Sequence, residues 1–186
     1  MGAANSALIQ RVPSRLIWAP TSLGIAAPYG GTYLGTCRDL EFTPRPILRE
    51  IWNETSGTIK DVIYGGEKVL FKAVVRYPDA DMISTATFKS VTGSSGIHWL
   101  FRPEGTTSNT RAGTSLGTRS GVLLVVSRAP LAHPSILIYN AVPAIDETAR
   151  LQMSLGVEYG LACCFYGTPD SSGRVYDTGF LADLSL

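Results

Sequence analysis

Alternating apolar and polar residues, the pattern of a β-strand with one buried face, dominate this chain. The clearest case is residues 67–77, whose apolar side is formed by Val69, Phe71, Ala73, Val75 and Tyr77. The other side carries a cation at every fourth residue, which predicts a half-buried antiparallel strand. Residues 135–142 and 150–161 predict two further strands, the second of them a long one.

Turn residues divide the chain into two strand-rich blocks, residues 31–77 and 121–167. In the first block, the dipeptides Ser-Gly at 56–57 and Gly-Gly at 65–66 predict turns that separate three strands. Between the blocks, the apolar residues 97–101 predict a buried strand. We therefore expect a mainly β fold, an antiparallel β-sandwich or half-barrel.

One strand of the first block has an unusual pattern. Residues 47–55 alternate imperfectly, and neither side is cleanly apolar. One side carries Arg49 and Asn53 among isoleucines, and the other carries Glu50 and Glu54. Both sides are therefore expected to meet something other than a simple core.

The N-terminal residues 1–30 are punctuated by prolines and predict an irregular, extended arm. Its apolar Ile17 and Trp18 would be poorly tolerated in water, so we expect the arm to dock on its own domain or on a neighbouring molecule. Residues 31–186 are expected to form a single domain.

Two further segments interrupt the strand pattern. Residues 79–88 predict one short α-helix that flanks the sheet, with an aspartate as its N-cap. The polar stretch at about 102–120 predicts a long loop. Because long loops in compact domains are commonly functional, this loop is a candidate for contact with a neighbouring subunit.

The composition limits the classes of function. Charged residues make up 17% of the 186 residues, below the roughly 25% typical of globular chains, which indicates either surface covered by partners or a single large core. The net charge of +1 lacks the basic footprint of a dedicated nucleic-acid binder. No apolar run approaches the ~18 residues of a membrane-spanning helix, so no membrane partner is expected.

The motifs yield no catalytic, metal or cofactor site. Residues 113–117 match the G-x-S-x-G pattern around Ser115, but that motif requires a preceding strand and a following helix, which the neighbouring residues do not predict. His133 also comes before Asp146, against the order of a hydrolase triad. Neither histidine has a second ligand at metal spacing, and the three cysteines form no disulfide framework. A small β-sandwich hydrolase using Ser115 or His133 is the least favoured alternative.

Short strand and turn patterns occur in a characteristic order along the chain. They are Asn-Glu-Thr-Ser-Gly (53–57), Asp-Val-Ile-Tyr-Gly-Gly-Glu (61–67), the strand 69–77, Asp-Met-Ile (81–83), Ile-Tyr-Asn-Ala-Val-Pro (138–143) and Cys-Phe-Tyr-Gly-Thr-Pro-Asp (164–170). In this order they resemble the tail tube protein (the major tail protein) of long-tailed bacteriophages, over about residues 32–179.

The resemblance implies a β-sandwich or half-barrel subunit that assembles into hexameric rings, which stack as a hollow tube in the virion tail. Inner strands of the subunits would join into one ring barrel around a channel. The tape measure protein would occupy that channel until genomic DNA passes through it. Tail terminator and baseplate or distal tail proteins would bind the tube ends, and a sheath protein would surround it in a contractile tail. Assembly would take place in the cytoplasm of the bacterial host.

The same resemblance gives roles to individual residues. The lumen-facing candidates lie on two alternative strand faces, between which the sequence does not choose: Arg49 with Asn53, or Glu50 with Glu54. The candidates for contacts between stacked subunits come from the arm and the polar loop: Ile17, Trp18, Asn109, Arg111 and Arg119. A tail terminator or distal tail ring protein of the same fold is the alternative function.

Overall fold

The computed structural model describes residues 8–10, 13–24, 29–76, 90–94, 98–102, 115, 117, 120–144, 151–154 and 157–186. The strands are β1 (Leu8–Gln10), β2 (Ser14–Trp18), β3 (Thr32–Asn53), β4 (Thr58–Arg76), β5 (Ser90–Ser94), β6 (His98–Arg102), β7 (Gly121–Ser127), β8 (Ser135–Ala144), β9 (Leu151–Ser154), β10 (Val157–Gly167) and β11 (Tyr176–Gly179). A 3-10 helix covers Leu181–Asp183.

Six of these strands form a closed antiparallel barrel within one chain. The hydrogen-bonded order is β8-β7-β2-β3-β4-β10, and pairing of β10 with β8 closes the ring. β1, β9 and β11 extend the same sheet, whereas β5 and β6 pair only with each other among the described strands. The predicted mainly β, antiparallel fold is confirmed, and closure removes the free edges that an open half-barrel would leave in this ring.

The barrel interior holds the main core. Its largest side chains are aromatic: the rings of Phe71 and Phe165 lie 6.1 Å apart, and Trp18 packs on Phe165 at 5.9 Å. The apolar side predicted for β4 is buried there from Val69 to Val75. Alternation at a period of two therefore identified the inward face of this strand correctly.

A second core lies on the outside of β2, β7 and β8. It is formed by Ile17, Tyr29, Leu124, Val126, Leu137, Tyr139 and Leu181. The segment before β3 and the 3-10 helix cover it, and the hydroxyl of Tyr139 donates a hydrogen bond to the carboxylate of Asp177. These three strands are thus buried on both faces.

Part of the expected N-terminal arm belongs to the barrel. Ser14–Trp18 is not irregular: it is β2, paired with β3 on one side and β7 on the other. Because Leu16 faces the interior and Ile17 faces the outer core, both are buried. Burial on both faces gives a continuous apolar run instead of an alternation, so the strand was not recognised from its pattern.

Two predictions in the strand-rich blocks, one of a turn and one of a single long strand, are wrong. β4 continues through Gly65 and Gly66, because the glycines form a β-bulge in which they face the single residue Ile47, between the pairs Pro46↔Glu67 and Leu48↔Tyr64. Gly66 has a φ of +106°, which a residue without a Cβ adopts at little cost.

The second error concerns residues 150–161, which are not one long strand. They contain β9 and the start of β10, which pair antiparallel from Leu151↔Leu161 to Ser154↔Val157. The pattern of period two continues from β9 into β10 without a visible break, so it does not reveal that two antiparallel strands are present. The predicted helix at 79–88 lies outside the described residues.

Core packing inside the barrel gives a first testable prediction. Phe165→Ala should lower the free energy of unfolding by about 3–5 kcal/mol, because it removes a fully buried ring. The adjacent Tyr166, which is 51% exposed on the outer side of the same strand, provides the control: Tyr166→Ala should cost less than about 1 kcal/mol. Urea denaturation measures both, and equal losses would contradict the assignment of the two faces.

The buried cysteines give a prediction about pH. Burial raises the pKa of the Cys37 thiol to about 12, whereas in the unfolded chain a thiol ionises near pH 8.5. The unfolded state therefore binds fewer protons above that pH, so the free energy of unfolding should fall as the pH rises towards 12, by up to about 1.4 kcal/mol per pH unit for each thiol. Urea denaturation at pH 7 and pH 10 should show a smaller fall for Cys37→Ala than for the wild type. Equal falls would contradict the prediction.

Candidate functional site

The strands β3 and β4 are longer than the barrel that they help to close. β10 pairs with β4 only from Val69 to Arg76, and β1 and β2 pair with β3 only as far as Phe42. Beyond these points the two strands pair with each other and with no other described strand. They continue as a projecting hairpin, residues 45–65, in which every residue is exposed. At about 3.3 Å per residue, it extends roughly 30 Å from the barrel.

The projecting hairpin is rich in large apolar side chains. Eight of the thirteen large apolar residues that are exposed in the described chain lie on it, between 38% and 61% exposed: Ile47, Leu48, Ile51, Trp52, Ile59, Val62, Ile63 and Tyr64. Monomeric proteins rarely expose a contiguous patch of this kind, and a hairpin with neither face packed is only marginally stable in water. The hairpin is therefore the candidate interaction surface.

Strand register divides these residues between two faces. Cross-strand pairs point to the same side, so the pairs Leu48↔Tyr64 and Trp52↔Ile59 define one face together with Val62, which is paired with Glu50. We call this the Trp52 face. It lies on the same side of β3 as the inward-facing Phe42, since side chains alternate at a period of two along the strand.

The opposite side, the Ile51 face, is more polar. It carries Ile47, Ile51 and Ile63, but these alternate with Arg49, Asn53 and Asp61 along the two strands. The pair Ile51↔Asp61 and the pair Arg49↔Ile63 each join an apolar residue to a charged one. The two faces thus differ in chemistry, and one of them is suited to a contact with water.

Local hydrogen bonds shape the tip of the hairpin. The side-chain oxygen of Asn53 accepts a hydrogen bond from the backbone N–H of Thr55 (3.0 Å), and its carbonyl accepts one from Gly57 N–H (2.9 Å). Gly57 has a φ of +64°, in the left-handed region that glycine favours. Asn53 therefore has a structural role in the turn, because an Asx hydrogen bond stabilises this kind of reversal.

Tyr176 of β11 fixes the base of the hairpin to the barrel. Its ring meets Phe42 edge-on at 5.0 Å between centroids. Burial, followed by a side-chain hydrogen bond to Glu67, raises the pKa of Tyr176 to about 12. Since Glu67 is adjacent to the bulge at which the hairpin leaves the barrel, this contact restrains the direction in which the hairpin projects.

The structure brings the four lumen-facing candidates together on the projecting hairpin. Arg49 and Asn53 lie on the Ile51 face, Glu50 lies on the Trp52 face, and Glu54 lies in the turn. All four are exposed. Exposure therefore does not distinguish between the two alternative lumen-facing sets.

The candidates for stacking contacts lie either in the packed part of the barrel or outside the described residues. Ile17 is buried in the outer core of its own chain, so it is not available for a contact between subunits. Trp18 is partly buried against Phe165. Asn109, Arg111 and Arg119 lie outside the described residues, as does most of the predicted loop at 102–120.

The remaining candidate sites concern metal ligands, the serine of the G-x-S-x-G pattern and membrane-spanning helices. No group of three or more His, Cys, Asp or Glu side chains among the described residues could hold a metal ion. Ser115 is exposed, and its hydroxyl accepts a hydrogen bond from Gly117 N–H (3.3 Å). None of the described helices has the length and hydrophobicity needed to cross a bilayer.

The sequence pattern did not identify the apolar residues that β4 contributes to the projecting hairpin. Ile59, Val62, Ile63 and Tyr64 lie next to Gly65-Gly66, and the prediction of a turn there hid their membership of a continuous strand. The signal that was present is the imperfect alternation of residues 47–55, which predicted that neither side of β3 meets a simple core. That expectation agrees with the exposure of both faces.

Comparisons with known proteins do not place the chain in a family. Neither a scan against protein-family models nor a search of curated proteins found a match to the chain. The geometry of the projecting hairpin is therefore the basis on which a function is proposed below.

Hydrogen exchange tests the isolation of the hairpin. In the monomer, outward amides of residues 59–63 should exchange at least about 100-fold faster than those of residues 70–74 of the same strand, because only the latter are paired on both sides. Amide exchange resolved by NMR at low protein concentration measures the ratio. Similar protection in both segments would show that the hairpin packs on its own chain.

Proposed function

We propose that this protein is a self-assembling structural subunit, the tail tube protein of a long-tailed bacteriophage, which forms stacked hexameric rings. The observation that carries the proposal is the projecting hairpin with large apolar residues on both faces. Covering the apolar Trp52 face of this ribbon requires a neighbouring protein surface. A ring of identical copies meets that requirement with a single chain.

The free edges of the hairpin support a ring arrangement. Along the hairpin, the outer edge of β3 and the outer edge of β4 have no partner strand among the described residues. When copies are related by rotation, β3 of one hairpin lies beside β4 of the next, and the two strands run antiparallel. Pairing of these edges around the ring would produce a closed barrel, which removes every exposed edge.

The two faces of the hairpin then have different environments. The Trp52 face, which is mainly apolar but includes Glu50, packs against neighbouring protein. The Ile51 face, with Arg49, Asn53 and Asp61, lines the channel, where hydrated groups of both signs favour passage of DNA over binding to it. The partners in the channel would be the tape measure protein and genomic DNA, and the localisation would be the virion tail.

Assembly of purified protein tests this function. The wild type should form rings or tubes in negative-stain micrographs, and Leu48→Ser with Tyr64→Ser should leave it monomeric, since this cross-strand pair supplies two large apolar side chains of the Trp52 face. The concentration for half-assembly should rise by more than about 30-fold, the effect expected when an interface hot spot is removed.

The matched control is Leu131→Ser, which removes an apolar side chain that is 76% exposed in the turn between β7 and β8. It should assemble as the wild type does. A wild type that stays monomeric at high concentration would contradict the proposed function. Rings that never stack would instead indicate a tail terminator or distal tail protein.

A further inference from the structure

A groove of about 480 Å³ lies on the outside of the barrel, where β2 meets the start of β3. Its apolar walls are Ile17, Tyr29 and Tyr33, and Arg15 lies at its rim. Tyr33 is 50% exposed. Its hydroxyl is 2.6 Å from the hydroxyl of Thr36, a hydrogen bond that restrains the ring. The groove thus presents aromatic surface together with a positive charge.

The backbone around the groove is specialised. Gly31 has a φ of +71°, and a Cβ at this position would lie 2.4 Å from the carbonyl oxygens of Trp18 and Ala19. Only glycine allows the segment before β3 to pass this close to the end of β2. The segment is thereby held against β2, with Tyr29 buried at one wall of the groove.

We propose that this groove binds the Trp52 face of the projecting hairpin of a second copy of the chain, with Trp52 between the tyrosines and Glu50 or Glu54 beside Arg15. The inference rests on the proposed function, since it names the surface that receives the hairpin during assembly.

The first argument is that the occupant must be another molecule. Tyr33 and Trp52 lie on the same continuous strand, β3, separated by 19 residues (52 − 33). At about 3.3 Å per residue this corresponds to roughly 60 Å of strand. A strand cannot fold back on itself over that length without a break, so the hairpin cannot reach the groove of its own chain.

The second argument is chemical complementarity. The groove offers two aromatic walls, and the hairpin offers an indole with neighbouring aliphatic side chains; aromatic pairs of this kind contribute more than their buried area. Arg15 forms no ion pair with a carboxylate of the described chain, and Glu50 and Glu54 are exposed on either side of Trp52 in the sequence. Trp, Tyr and Arg are also the residue types most often responsible for binding energy at interfaces.

The third argument comes from the outer core. Ile17 packs in the buried outer core and also lines the groove. The groove floor is therefore built on packed side chains, which limits the rearrangement that binding would require. A rigid, pre-formed groove is the type of surface that an apolar ribbon binds with the smallest entropic cost.

Charge reversal tests the polar part of the contact. Arg15→Glu should raise the concentration for half-assembly about 10-fold, and so should Glu50→Arg combined with Glu54→Arg, because each places like charges together. Combining all three should restore assembly to within about 3-fold of the wild type. Arg128→Glu, at an exposed arginine of the turn after β7, is the matched control and should have no effect.

Disulfide trapping tests the apolar part while Trp52 and Tyr33 stay in place. Copies carrying Ile59→Cys are mixed with copies carrying Thr36→Cys and exposed to oxidised glutathione. A covalent heterodimer should form, because Ile59 is paired with Trp52 and Thr36 lines the groove. The three native cysteines are buried and do not compete in the folded state. Thr178→Cys, exposed on β11, replaces Thr36→Cys as the control and should give no cross-link.

The outcomes separate the two proposals. If hairpin variants abolish assembly but Arg15→Glu is neutral and no Ile59–Thr36 cross-link forms, the groove is not the receptor, and the proposed function stands without it. If the wild type remains monomeric at high concentration, both are overturned. Cross-linking together with rescue by the triple charge reversal supports the groove.

Discussion

The pairing of β3 with β4 is the interaction on which the rest of the structure depends. This pairing places Phe42 opposite Phe71 in the barrel and, after register shifts at Pro46/Leu48 and Ile51/Trp52, places Trp52 opposite Ile59 in the projecting hairpin. Because side chains alternate at a period of two, a slip by one residue would turn the core outward and exchange the two hairpin faces at once. The packed interior of the barrel therefore fixes the orientation of a segment that has no core of its own.

The bulges in this strand pair adjust the relation between barrel and hairpin. Register shifts occur at Arg38/Glu41, at Pro46/Leu48 and at Ile51/Trp52. Each bulge increases the local twist and bends the strand. The bulge at Pro46/Leu48 lies where the barrel ends. Tyr176 forms a side-chain hydrogen bond with Glu67, next to this bulge. Apolar burial thus stabilises the barrel part of β3 and β4, while the bulges and the hydrogen bond between Tyr176 and Glu67 direct the projecting hairpin.

How far the sequence predicted this structure depended on the environment of each strand. β4 was recognised because one of its faces is buried and the other is not, from Val69 to Val75. β2 was missed because Leu16 and Ile17 are buried on opposite sides, which removes the alternation. Gly65-Gly66 predicted a turn because a bulge and a turn use the same backbone freedom of glycine, and only the partner strand distinguishes them. The groove depends on residues from β2, β3 and the segment between them, so no local pattern could have indicated it.

The strand β3 carries the groove residue Tyr33 near one end and the hairpin residue Trp52 at the other. An assembly in which one end of a subunit binds the opposite end of the next has a direction, as an arrow does. One terminus of such an assembly displays empty grooves, and the other displays uncovered hairpins. Growth at the two termini would then differ in rate, and a protein that stops elongation at one terminus would be unable to recognise the other.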